Sequence, residues 1–122
     1  MSAKTAWKVS FTHKAENDVL GIVDYIADRE GADMADAILD MLIQARNSLH
    51  MLPDRGRIVP ELKRVNILSY REIQASPYRM IYQVNTSMHA VFIHMVADGR
   101  RNFAELLKER LLNPSYNENN RQ

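Results

Sequence analysis

Four arginines, Arg71, Arg79, Arg100 and Arg101, sit on or just after apolar, strand-like runs in the second half of this chain. Guanidinium groups grip phosphate or carboxylate in bidentate fashion and keep their proton at neutral pH. They can therefore anchor RNA, DNA or an acidic peptide and steady a phosphoryl transition state, but they are poor general bases. The stretch Tyr78-Arg79-Met80-Ile81-Tyr82 is the most informative. A strand alternates faces, so Tyr78, Met80, Tyr82 and Val84 can line a core while Arg79, Ile81 and Gln83 look the other way. An arginine buried without a partner is costly, so Arg79 must face solvent, a carboxylate or an anionic partner. Two readings follow. Arg79 belongs to a basic surface shared with Arg71, Arg100 and Arg101, and it pairs with Glu72 on the adjacent strand; the two are not exclusive. Arg100-Arg101 precedes a last helix, where positive charge opposes the helix dipole; that placement points to use in binding.

Other chemistries are thinly represented. His13, His50, His89 and His94 lack any metal-ligand spacing, so no metal is expected. His94 alternates with Phe92 and Val96 and reads as a partly buried strand histidine, with acid–base work as the alternative. Gly21, Gly31, Gly56 and Gly99 are isolated, and neither a phosphate-cradling loop nor a nucleophile elbow is present, so no cofactor is expected. The absence of cysteine removes disulfides, thiolate catalysis and cysteine-ligated zinc.

The length of 122 residues, with 46% hydrophobic and 25% charged residues, is that of one ordinary globular domain. Without a signal-like or membrane-spanning run, the expected home is the cytoplasm. The net charge of +1 hides a polarised chain. Residues 13–52 hold three bases against eight acids, whereas residues 53–112 hold ten bases against six acids. Acids along helices make a solvated face. Bases bunched around strands make an interaction surface.

These residues need a scaffold. Trp7-Lys8-Val9-Ser10-Phe11 alternates as a first strand, and Thr12 is placed to cap a helix carrying Ala15, Val19, Ile22, Tyr25 and Ile26 on its core side. Gly31 ends that helix, and a second helix (Ala35, Ile38, Leu39, Leu42, Leu49) runs to Pro53. Residues 54–64 read as turn and loop. Three strands follow, near 66–75, 78–85 and 89–97, and Phe103, Leu106, Leu107 and Leu111 mark a terminal helix. The predicted fold is α+β, an antiparallel sheet packed against a two-helix hairpin, in the order β-α-α-β-β-β-α. One domain spans 1–112, and the polar tail 113–122 has little to bury.

Taken in order, these features resemble the RelE/ParE family of bacterial type II toxins. The likeness rests on the Ala15…Ile22…Tyr25-Ile26 helix, Gly56-Arg57…Pro60-Glu61-Leu62, Arg71-Glu72, Tyr78-Arg79-Met80-Ile81-Tyr82 and Gly99-Arg100-Arg101. The resemblance implies a toxin held inactive by a cognate antitoxin, in modules that maintain plasmids or respond to stress. RelE-like members cleave mRNA on the ribosome, and ParE-like members trap DNA gyrase on cut DNA. Arg79 and Arg101 match the arginines of the RelE-like pattern. Tyr70 and Glu72 stand in the approximate register of its lysines and Leu107 in that of its tyrosine, so the groups that move protons are missing. The long hairpin and the Gly-Arg-Arg ending are similar to the ParE branch. The expectation is a toxin that binds gyrase without chemistry, with Arg71, Arg79, Arg100 and Arg101 meeting target or antitoxin. The alternative is a ribosome-dependent mRNA endonuclease, with Arg79 and Arg101 on phosphate and Tyr70, Glu72 or His94 transferring protons.

Overall fold

The computed structural model describes residues 6–112; the predicted tail lies outside them. Strand β1 (Lys8–Phe11) leads into α1 (His13–Glu30), whose first turn is capped by Thr12 Oγ1, accepting from the Ala15 amide at 3.2 Å. Gly31, at φ 96°, both ends α1 and begins α2 (Ala32–Asn47). Its amide donates to Ala27 O and its carbonyl accepts from the Ala35 amide. A single left-handed residue thus folds the two helices back on each other.

After α2 the chain forms β2 (Arg57–Ile58), a one-turn α3 (Pro60–Lys63), β3 (Arg71–Ala75), β4 (Tyr78–Asn85) and β5 (Ala90–Asp98). It ends with α4 (Phe103–Leu107), continued as a π-helical turn over Lys108–Leu112. The region 54–64, expected to be loop, contains β2 and α3, and the strand expected from residue 66 begins only at Arg71. The five strands lie in the order β1-β5-β4-β3-β2. The sheet is mixed rather than purely antiparallel, because β1 pairs parallel to β5. The whole hairpin and three further strands separate β1 from β5 along the chain, so residue alternation in β1 carries no sign of its partner or direction.

Both faces of the central strands are buried. On one side Val19, Leu42, Leu49, Ile73, Met80, Tyr82, Val91 and Ile93 form the core under the hairpin. On the other side Ile81 and Met95 meet Val59, Leu62, Phe103, Leu107 and Leu111. The stripe on the terminal helix therefore closes the face that the sequence left to solvent or a partner. At fully burying side chains worth about 1.5–3 kcal/mol each, this second cluster is a large share of a small domain's stability.

Gly56 marks a close backbone approach. Its amide donates to the Tyr82 hydroxyl at 3.0 Å. A Cβ there would stand 2.6 Å from that hydroxyl, 2.9 Å from the Glu72 carbonyl carbon, and closer still to the carbonyl oxygen. Because the obstacle is backbone, the site cannot yield by a rotamer change. Gly56→Ala is expected to lower the unfolding free energy by about 2 kcal/mol or more, measured by urea denaturation, whereas Gly21→Ala, which meets nothing within 4 Å, should not destabilise.

Candidate functional site

The four arginines do not converge. In the β3–β4 pairing Arg71 lies opposite Tyr82, whereas Arg79 lies opposite Gln74, one residue out of phase. The two side chains therefore leave opposite faces of the sheet. Arg71 Nη1 donates to the Gly56 carbonyl at 2.7 Å, and its Nε lies 3.8 Å from Asp54.

Arg79 is only 8% exposed. Its Nη1 and Nη2 grip the two oxygens of Glu61 at 2.9 and 2.8 Å, and its Nε donates to Glu72 Oε1 at 2.7 Å. Glu72, 2% exposed, accepts from Arg57 Nε on its other oxygen at 2.6 Å. The Phe103 ring lies under the guanidinium, 3.8 Å from ring centre to Cζ. Burial opposes the charge on Arg79, but the hydrogen bonds to Glu61 and Glu72 outweigh it and raise the pKa. The same contact with Arg79 holds the Glu61 carboxyl below its ordinary value. Of the two readings of Arg79, the ion pair with Glu72 is the one the structure shows. The expected shared basic surface is corrected: Arg79 pins α3 and α4 to the sheet rather than meeting solvent. Sequence reading missed Glu61 and Phe103 as its partners, although Glu61 lay in the Pro60-Glu61-Leu62 segment already singled out.

The candidate proton-transfer groups are similarly engaged. His94 Nε2 is 2.9 Å from Gln83 Oε1, and Tyr70 stands edge-on to the imidazole at 5.6 Å. Burial, helped by nearby Arg110, depresses the His94 pKa to about 4, so the ring is neutral at pH 7. Burial also raises the Tyr70 pKa. The Glu72 side chain is fully buried between Arg57 and Arg79.

Arg100 and Arg101 lie elsewhere, at a groove of about 800 Å³ between α1 and the far end of β5. Tyr78, Tyr25, Arg29, Leu106 and Arg110 also line it. Tyr25, expected on the core side of α1, is 59% exposed, with Arg29 over its ring. Arg100 is held by Asp98, through Nη2 at 2.6 Å and its amide at 2.9 Å, and Arg100 correspondingly lowers the Asp98 pKa to about 2. Arg101 is exposed and forms no ion pair among the described residues. The groove is bounded at one end by Asp18 and Arg110. Asp18 Oδ2 accepts from the Val96 amide at 2.9 Å, and both its oxygens accept from Arg110. Arg110 also donates to the His94 carbonyl at 2.8 Å. A sequence separation of 92 residues gave no local signal of the pair.

Residues 9–103 match the family model for the ParE toxin of the type II toxin–antitoxin system parDE. The chain belongs to this toxin family. Two solved structures share its fold. A chain of the chromosomal ParDE system from P. aeruginosa superposes with a TM-score of 0.63 at 15% identity, covering 78% of this chain and 98% of that one. A chain of the RelBE2 toxin–antitoxin complex from Mycobacterium tuberculosis gives 0.57 at 18% identity, covering 76% and 98%. Among curated proteins, none matches the sequence.

Two measurements test the ion cluster and its surroundings. Arg79→Met is expected to cost about 3 kcal/mol in urea denaturation, because it leaves the buried Glu72 carboxylate with Arg57 alone and Glu61 with no arginine. Adding Glu72→Gln should recover much of that loss. Separately, the folded protein resists protonating His94 while the unfolded chain binds that proton at its ordinary pKa of 6.5. Stability contributed by neutral His94 is therefore full above 6.5 and falls toward pH 4, by at most about 1.4 kcal/mol per pH unit. His94→Gln should flatten the dependence of thermal midpoint on pH within that window.

Proposed function

We propose that this toxin arrests growth by binding DNA gyrase, without chemistry of its own, and that a cognate antitoxin neutralises it. The observation that carries this reading is the state of the carboxylates beside Arg79. The Glu72 side chain is fully enclosed between Arg57 and Arg79, out of a substrate's reach, and Arg79 holds the Glu61 carboxyl below its ordinary pKa, which weakens it as a base. A general base must reach the proton it takes and be basic enough to hold it. Neutral His94 is already hydrogen-bonded to Gln83, and the residue in the register of the RelE-like tyrosine, Leu107, is buried in the core. The match to a ParE model rests on most of the chain and agrees with this reading. A type II toxin of this kind serves plasmid stabilisation or stress response and works in the cytoplasm.

Arg101 is the proposed contact to a macromolecule, with Arg100 and Arg71 beside their own acceptors able to exchange them for a partner's acids. Arg79 acts through α3 and α4 as a positioning residue. The competing reading, a ribosome-dependent mRNA endonuclease, keeps one observation in its favour: His94 and Tyr70 are in contact.

Purified toxin added to gyrase, ATP and relaxed plasmid is expected to abolish supercoiling and accumulate cleaved DNA. The same toxin added to translating ribosomes should leave mRNA intact. The opposite pair of results, active gyrase and truncated mRNA, would replace this reading with the endonuclease.

A further inference from the structure

The two edges of the sheet are finished differently. At one edge β2 is two residues long and carries the charged Arg57, features that discourage further pairing. At the other edge stands β1, which pairs only with β5. Lys8 N donates to His89 O and Thr12 N to Ile93 O. The even-numbered residues of β1 therefore spend their backbone groups on β5, and Trp7, Val9 and Phe11 point theirs outward. Those of Trp7 are already used: its amide donates to His50 O at 2.8 Å, and its carbonyl lies 2.8 Å from His50 Nδ1. The outward groups of Val9 and Phe11 have no hydrogen-bond partner among the described residues.

What remains is a short window of unpaired strand, closed at one end by His50 and at the other by α1, which begins at His13. Natural edges are blunted with proline, bulges or charge, and Val9-Ser10-Phe11 carries neither proline nor charge. The Val9 and Phe11 side chains are only partly buried, packed against the core under the hairpin. A neighbouring strand would complete their cover.

We infer that a second copy of this chain pairs with this edge, β1 against β1, antiparallel about a two-fold axis at Ser10. In that register Val9 lies opposite Phe11 of the partner subunit, and Phe11 opposite the partner's Val9. Each such pair exchanges both N–H···O bonds, so every unused backbone group in the window is satisfied. Shifting the register by one pleat sets Val9 or Phe11 against its own counterpart. The other residue then faces the start of the partner's helix or the occupied Trp7 of the partner subunit. A strand of ordinary length from another protein would run into His50 and α1, whereas two copies of the window fit each other completely. The side chains agree with this pairing. Ser10 is small and faces the partner's Ser10, and Lys8 faces the partner's Thr12, so no like charges stand directly opposite. Val9 and Phe11 of both copies fall on the hairpin side and join the two cores. The contact is small, so association is weak and depends on concentration. It stands apart from the toxin reading, because it concerns neither target nor inhibitor.

Sedimentation velocity of the full-length chain over a rising concentration series is expected to move from the 14.1 kDa monomer toward a dimer. The chain has no cysteine, so Ser10→Cys is a unique probe of the axis. Directly opposite residues of a non-hydrogen-bonded pair stand about 4.5 Å apart at Cα, within the disulfide range of about 4.4–6.8 Å. Mild oxidation should therefore cross-link Ser10→Cys into a dimer, whereas Lys8→Cys, displaced from the axis, should not cross-link. Val9→Pro removes an outward N–H without touching the β5 ladder and should weaken self-association by about tenfold or more. Ser10→Lys leaves the backbone intact and sets two ammonium groups face to face. It should weaken self-association more at low salt than at high salt, and it decides the matter if Val9→Pro lowers the thermal midpoint. A wild-type chain that stays monomeric at every concentration overturns the inference. So does a wild-type dimer that Ser10→Lys leaves unchanged and Ser10→Cys does not cross-link, since its interface then lies elsewhere. Neither result bears on the gyrase assay, which succeeds or fails on its own.

Discussion

A guanidinium placed at the centre of a sheet must be neutralised where it stands, and the remainder of this fold is arranged around that requirement. Arg79 is enclosed by Glu61, Glu72 and the face of Phe103. Each partner comes from a different segment: α3, β3 and α4. Meeting the hydrogen-bonding needs of one side chain therefore fixes three segments against β4 at once. Apolar contacts from Leu62, Leu107 and Leu111 then seal the same face. A buried ion cluster adds less net stability than its contacts suggest, because desolvation offsets much of the attraction. Its larger effect here is geometric, since apolar packing alone would tolerate several placements of a one-turn helix.

The consequence for function is a division of labour among the arginines. Those that look alike in sequence differ by what surrounds them. Arg79 and Arg57 are spent on carboxylates inside the fold, Arg71 caps backbone carbonyls near Gly56, Arg110 ties the terminal helix to α1, and Arg101 stays exposed. The same surroundings leave Glu72 enclosed and His94 neutral.

How far the sequence disclosed this arrangement depends on the range of each interaction. Local signals were legible: the Thr12 cap, the Gly31 link and the β4 limits at Tyr78 and Asn85 all stand where the pattern placed them. The two core tyrosines, Tyr78 and Tyr82, also lie where strand parity put them. Residue alternation could not reveal that the second face of β4 is covered, because the cover arrives from Phe103 onward. Parity within β4 set Arg79 apart from the hairpin core, yet only the register with β3 shows that Arg71 exits on the opposite side. The parallel partner of β1, and the Asp18–Arg110 tie, join positions about 80 or more residues apart and leave no periodic trace.

Parallel pairing of the first strand with the last has a bearing on how the molecule comes into being. During vectorial synthesis Lys8–Phe11 emerges early, yet it has no partner until Ala90–Ile93 has followed. Closing a loop of that length brings the entropic cost of a long-range contact before any reward. A nascent chain can thus assemble its helical hairpin and inner strands, but completes its sheet only once β5 has been made.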